Sequence, residues 1–424
     1  GLPRPAVAAG GAKVVIIGGG PGGATVANRI RIAEPAIEIT LVEPKEAFTT
    51  CFYSNLFIGG FRSFDSITHT YDGLKKRGIK VVSDTATAVD TAAKTVTLGK
   101  GQTLPYDRLV IAPGIDIKYD SIEGYSQEAA EIMPHAWQAG PQTVLLKDRL
   151  LAMSDGGVVV MAIPGNPYRC PPGPYERACM IAHFLKTRKP KSKLILFDAK
   201  KTYSKQPVFE EAFGEYYKDI IEVNLTNEID DFSVVKVDAA SGEVTTKSGR
   251  KEKAAVANII PAQKAGLIAH KAGCAEGDWC PVNLDNFTSA KVKDVYVLGD
   301  AAIATEMPKS AFTSASQGGV VAADIVADLT QKTRVPGKYR NTCWSMLAPE
   351  NSAKIGGDYA PGEKDGKHML VVSGAFVSKP GESAEVRRET FNESAGWYES
   401  FTNDLFAKDA LAAAPPAATA VKAK

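Results

Sequence analysis

Lys13-Val14-Val15-Ile16-Ile17-Gly18-Gly19-Gly20-Pro21-Gly22-Gly23-Ala24 reads as a buried strand of mostly β-branched residues, a glycine turn and the first turn of a helix. The helical pattern continues over residues 24–32, and a second strand over residues 38–42 ends in Glu43, twenty residues after Gly23. Each glycine has its own physical reason. Gly18 permits the tight turn, Gly20 lets a pyrophosphate approach the backbone, and Gly23 lets helix and strand pack closely. The helix start offers free N–H groups to phosphate, and Glu43 is placed to accept hydrogen bonds from ribose hydroxyls. A dinucleotide-binding βαβ unit is therefore expected at the head of the chain.

Working outward, Tyr106-Asp107-Arg108-Leu109-Val110-Ile111-Ala112-Pro113-Gly114 is a strand closing on a turn, and Asp294-Val295-Tyr296-Val297-Leu298-Gly299-Asp300-Ala301-Ala302 is another ending in Gly-Asp. The three elements, in this order, resemble the two-dinucleotide-domain, glutathione-reductase-like flavoproteins. That resemblance implies FAD as cofactor, with Asp300 on its ribitol. Between them lies a second strand–turn–helix–strand unit, with strands at residues 157–163 and 194–197 and a helix at 176–186. Its turn, residues 164–174, holds five prolines in eleven positions. Proline has no N–H, so this turn is expected not to cradle a pyrophosphate, and NAD is expected not to be a substrate. What the turn offers instead is one rigidly presented cysteine, Cys170.

The whole chain has 424 residues, enough for two to three domains at roughly 150 residues each. The reading predicts an α/β chain: a FAD-binding unit in two parts (1–122 and 263–335), a second Rossmann-like dinucleotide fold with a degenerate NAD site (123–262), and an α+β C-terminal interface unit (336–424). The last fifteen residues carry eight alanines and two prolines and read as a loose tail. Fifty basic against 48 acidic side chains, a net charge of +2, argue against a nucleic-acid partner. No apolar run is long enough to span a bilayer, so no transmembrane segment is expected. Gly1 in place of Met predicts that a leading segment such as an export signal was removed.

Six cysteines without a CxxC pair, and five histidines without an HExxH, give no metal site, and no GxSxG nucleophile motif is present. No CxxCH motif occurs either.

Phe48-Thr49-Thr50-Cys51-Phe52-Tyr53-Ser54-Asn55, Cys170-Pro171-Pro172-Gly173-Pro174-Tyr175-Glu176, Met307-Pro308-Lys309-Ser310 and Asn341-Thr342-Cys343-Trp344-Ser345 together resemble the flavoprotein subunit of flavocytochrome c sulfide dehydrogenase. The resemblance implies a thioether from Cys51 to the flavin, which would retain the cofactor and raise its potential. It further implies a redox-active disulfide between Cys170 and Cys343 that sulfide attacks. Glu176 matches an acid/base position, although a carboxylate at a helix start also favours the helix dipole. Lys309, opening a helix rich in small residues, would place positive charge at the reduced flavin; a solvated lysine is the alternative. Trp397 matches an aromatic between flavin and haem, while Trp397, Tyr398, Phe401 and Leu405 are also spaced as a core stripe.

Electrons would pass to haem c on a separate cytochrome subunit in a periplasmic heterodimer, docked largely on residues 336–406. Cys274 and Cys280 are spaced to close a small disulfide loop, and Cys179 reads as a buried thiol. At Ala302 the chain departs from the family pattern, which has Cys there. A sulfide:quinone reductase and a non-catalytic FAD module are the competing readings.

Overall fold

A computed structural model describes residues 11–412, so the C-terminal tail and the first ten residues lie outside it. The opening β-branched run forms the central strand Lys13–Ile17 of a five-stranded parallel sheet in the order Val295–Val297, Arg108–Ile111, Lys13–Ile17, Glu38–Val42, Lys80–Val82. The helix after the glycine turn spans Pro21–Ala33, three residues earlier than its apolar pattern suggests. Proline at a first helical position lacks only an N–H that would have no partner in the helix, so the turn runs straight into the helix. That helix packs on Ala311–Leu329, and small residues set the distance. A Cβ on Gly318 would lie 2.9 Å from the Gly22 carbonyl oxygen.

The second unit is a four-stranded parallel sheet in the order Ile221–Leu225, Lys193–Asp198, Val158–Ile163, Val256–Ile259. Its helix Gly173–Arg188 starts within the last residues of the proline turn, again earlier than expected and with Pro174 in the first turn. The C-terminal unit is an antiparallel sheet of Tyr339–Ala348, Asn351–Lys364 and Lys367–Val377, followed by helix Ala384–Leu405. Asp365 and Gly366 both take positive φ, 52° and 73°, the two-residue hairpin turn that matches strand twist. The α/β architecture with two Rossmann-like units and an α+β C-terminal unit is thus the one the sequence predicts. Among the described residues no helix is long and apolar enough to cross a membrane.

Gly23 holds the first unit together. A Cβ there would stand 1.8 Å from the Gly18 carbonyl oxygen, and one on Gly18 (φ +101°) would stand 2.0 Å from the Ala112 oxygen. Both contacts are backbone, so neither can yield by a rotamer change. Gly23→Ala is expected to cost ~1–3 kcal/mol through overpacking. Differential scanning calorimetry should show a transition lowered by about 5 °C.

Candidate active site

A cavity of about 360 Å³ opens where the three units meet, and Gly18, Gly20, Glu43, Cys51, Asp300 and Lys309 all line it. Cys170, Glu176, Cys343 and Trp397 line the same space. Of the residues expected to bind cofactor or carry chemistry, Gly23 alone lies behind the wall, where its missing Cβ sets the helix–strand contact.

At one end the carboxylate of Glu43 accepts from the Gly19 N–H (3.2 Å) and the Lys45 N–H (3.0 Å). These bonds fix the acid beside the turn and leave it further acceptor capacity. Tyr71, which the sequence did not single out, donates to the Gly19 carbonyl (2.8 Å) and braces the turn from below.

Asp300 stands at the middle of the cavity, in the short 3₁₀ turn after strand Val295–Val297. Its Oδ2 accepts from Arg169 Nε at 2.7 Å, while its Oδ1 is buried without a partner. An unpaired buried carboxylate oxygen costs free energy unless a hydroxyl or amide reaches it. The same guanidinium donates to the Trp137 carbonyl (3.2 Å) and lies 3.4 Å from Cys51 Sγ. Arg169 therefore links the Gly-Asp segment to Cys51, and the only sequence signal for it was its place beside Cys170 in the proline turn.

Lys309 departs from expectation in its orientation. The helix opens at Ala311 with Ser310 as its cap, whose Oγ accepts from the Thr313 N–H. The lysine precedes the cap, and its ammonium donates to the carbonyls of Asp300 (2.7 Å) and Ala302 (3.0 Å), 3.9 Å over the Trp279 ring. Burial lowers its pKa to about 8. The charge is thus neither solvated nor free: it ties down the Gly-Asp turn.

At the other end stand Cys170 and Cys343; the disulfide that the resemblance implies between them is not formed here, and both are thiols, as are all six cysteines. Cys170 takes a left-handed backbone conformation (φ 57°), and its N–H donates to the Lys309 carbonyl (2.8 Å). A Cβ on Gly173 would come within 2.9 Å of Cys170 Sγ, so glycine is needed there. Burial pushes the Cys170 thiol well above its ordinary pKa, and the acidic groups of Cys343 and Glu176 push the same way.

Glu176 reaches into this region rather than into solvent. It accepts from Asn55 Nδ2 (3.0 Å) and the Met346 N–H (2.7 Å), and burial raises its carboxyl pKa. Arg177, also missed, is buried and donates to Asn55 Oδ1 (2.9 Å), which aims the Asn55 amide at Glu176. Trp397 is half-buried in an aromatic wall, with Trp344 and Phe401 each at 4.8 Å and Phe52 at 5.6 Å between ring centroids. It is both a packing residue and a cavity residue. Tyr398, beside it, is core, and its hydroxyl meets Thr50 and His69 at 2.9 Å each.

The remaining cysteines lie apart. Cys274 and Cys280 are buried as separate thiols, so the small disulfide loop is not formed. Cys280 bridges Ala302, its N–H donating to the Ala301 carbonyl (2.9 Å), so the position where the family pattern has Cys is its backbone neighbour. Cys179 is fully buried, as expected.

A parallel sheet with a glycine turn and a terminal acid, and a second parallel sheet whose turn presents a cysteine, define a disulfide-oxidoreductase-type flavoprotein. Comparison with known proteins narrows this. The family model "Pyridine nucleotide-disulphide oxidoreductase" matches residues 12–148. "Sulfide dehydrogenase [flavocytochrome c] flavoprotein chain, central" matches residues 143–261, and "Flavocytochrome c sulphide dehydrogenase, flavin-binding" matches residues 335–406. A sulfide dehydrogenase [flavocytochrome c] flavoprotein chain of Chlorobaculum thiosulfatiphilum is 56% identical over 43 residues, 10% of this chain and 90% of that sequence. The sulfide-quinone reductase of Aquifex aeolicus is 34% identical over 178 residues, 41% of this chain and 40% of that protein. The solved structure of the Aquifex aeolicus sulfide:quinone oxidoreductase has the same fold, with a TM-score of 0.70 at 20% identity over 93% of this chain and 92% of that one.

The chain belongs to the family of flavocytochrome c sulfide dehydrogenase flavoprotein chains, sulfide-oxidising flavoproteins related to the sulfide:quinone reductases. It binds FAD. The cavity fits that cofactor: the glycine turn leaves room for a pyrophosphate, and Asp300 Oδ1 awaits a hydroxyl.

Proposed function

We propose that this chain oxidises sulfide at Cys170 and Cys343, holds FAD covalently through Cys51, and passes electrons to a c-type cytochrome subunit. One observation carries the reading. Three cysteines from three separate units line a single cavity with the glycine turn and Asp300. FAD bound there supplies a two-electron acceptor that can be emptied one electron at a time.

Gly18, Gly20 and Glu43 would hold its nucleotide half, and Asp300, with its unpaired oxygen, the ribitol. Hydrosulfide attacks one sulfur of a Cys170–Cys343 disulfide. The S–S bond breaks, the incoming sulfur stays as a persulfide on one cysteine, and the other leaves as thiolate. Glu176, a buried carboxyl with a raised pKa, is the proton carrier beside the pair. Lys309 acts by fixing the Asp300 turn, and Trp397 forms the wall facing the partner.

The cytochrome docks on the C-terminal unit, residues 336–406, which carries both Cys343 and Trp397. A resting disulfide suits an exported, periplasmic protein. The identity to the Aquifex sulfide-quinone reductase supports a second reading, in which a quinone is the acceptor.

Anaerobic mixing tests this. Sulfide should bleach the visible flavin spectrum, whereas NADH should leave it unchanged, because the proline turn lacks the donors a pyrophosphate needs. The sulfide-reduced protein should then reduce a c-type cytochrome in preference to a quinone analogue. Bleaching by NADH would overturn the argument from missing N–H groups, and preferential quinone reduction would favour the second reading.

A further inference from the structure

Lys205 lies at the start of helix Gln206–Tyr216 in the second unit, 35 residues after Cys170, and no sequence motif marks it. It is 5% exposed, and its ammonium crosses to the C-terminal strand Tyr339–Ala348. There it donates to Ser345 Oγ at 2.6 Å and to the carbonyl of Cys343 at 3.3 Å. Both partners are uncharged, and two of its three donors are used. A buried ammonium on neutral partners is costly unless an anion stands nearby. The acidic groups facing it are Cys343 on the strand, and Glu176 and Cys170 on the opposite helix and turn. Its own helix contributes only the Phe209 ring, 5.9 Å away.

The strand explains the pairing. Cys343 and Ser345 are two residues apart and share one face of it. Glu176 accepts from the N–H of Met346, the next residue, so a carboxylate and an ammonium both anchor on the segment that carries Cys343. Around Cys170 the other charged or ionisable groups are Cys51, Tyr168, Arg169 and Arg177, and Cys343 also faces Tyr359 on the neighbouring strand.

We infer that Lys205 is a positioning residue for the thiol pair: its charge holds Cys343 as the departing thiolate when hydrosulfide attacks the Cys170 sulfur, leaving a persulfide on Cys170, and opens the Cys170–Cys343 bond. The inference rests on the sulfide-oxidising reading. In that step HS⁻ brings one negative charge into a buried site, and the charge ends on the departing sulfur. The S–S bond breaks as the new S–S bond forms, and no proton leaves Lys205. The cation thereby stabilises charge where it develops without being consumed.

Cys343 also lines a second pocket of about 610 Å³, so a small reagent can reach it there. The test uses phosphine-reduced holoprotein and iodoacetamide across a pH series, with peptide mass spectrometry reading the label on Cys343. In Lys205→Met the midpoint of alkylation should move up by about one pH unit or more. Anaerobic bleaching by sulfide at pH 7 should slow about tenfold. Lys205→Arg should restore most of both. The wild-type rate should also fall above about pH 8, where burial has brought the lysine's own pKa and the charge is lost.

An unchanged Cys343 midpoint in Lys205→Met, with bleaching slowed equally at every pH, would show a packing role only and overturn the inference. Should Lys205→Met fail to fold, Ser345→Ala keeps the charge but frees the ammonium. A smaller upward shift supports the inference, and none refutes it. If wild-type protein is not bleached by sulfide, the functional reading fails, while the alkylation midpoint still reports on Lys205.

Discussion

Cys170→Ser and Cys343→Ser should each lose reduction of the flavin by sulfide completely, while dithionite still bleaches the bound cofactor. Serine conserves size and most hydrogen bonding, so the buried surroundings survive. What is lost is the sulfur electrophile: a C–O–H group offers hydrosulfide no bond to exchange into. Cofactor binding should persist because the glycine turn, Glu43 and Asp300 are untouched and hold a different part of the cavity. Stopped-flow spectra recorded with sulfide and then with dithionite separate the two steps. Wild-type rates of sulfide bleaching in either variant would show that the thiols are a structural pair and that sulfide reacts elsewhere.

The second large effect concerns Cys51. Acid precipitation of the wild-type protein should carry the FAD down with the polypeptide, and Cys51→Ser should release it into the supernatant. Cys51 is half-buried, it lines the cavity, and Arg169 fixes its sulfur at 3.4 Å while also binding Asp300. A serine hydroxyl is a far weaker nucleophile than a thiolate, so no ether would form under the same conditions. Peptide mass spectrometry of active wild-type protein gives the direct answer: an unmodified Cys51 peptide would refute the link.

Much of this was legible in the chain because it is local. The turn of residues 18–23, the acid at Glu43 and the proline-rich turn before Gly173 are set by φ preferences and missing donors within a few residues. Strand Lys13–Ile17 followed from a β-branched run. What the sequence left open was where each long side chain ends. Lys309 was expected to bring positive charge to the flavin; it lines the cavity, and its ammonium is also tied to two carbonyls and a ring. Arg169, Arg177 and Lys205 left no motif, because a flexible stem fixes no direction until its neighbours are in place.

The sequence by itself determined the two nucleotide-type folds and the glycine turn, since each rests on contacts between near neighbours in the chain, while the cysteines entered as candidates for chemistry through the resemblance of their surrounding motifs to a family. Only the tertiary structure decided that Cys51, Cys170 and Cys343 open into one cavity. Cys343 reaches it through the pairing of Tyr339–Ala348 with Asn351–Lys364, in which Cys343 lies opposite Ile355. Side chains alternate between the two faces of a strand, so a slip of one residue would turn that sulfur away from Cys170. The register that prevents the slip is fixed by packing against both other units, a long-range balance that no short stretch of sequence contains.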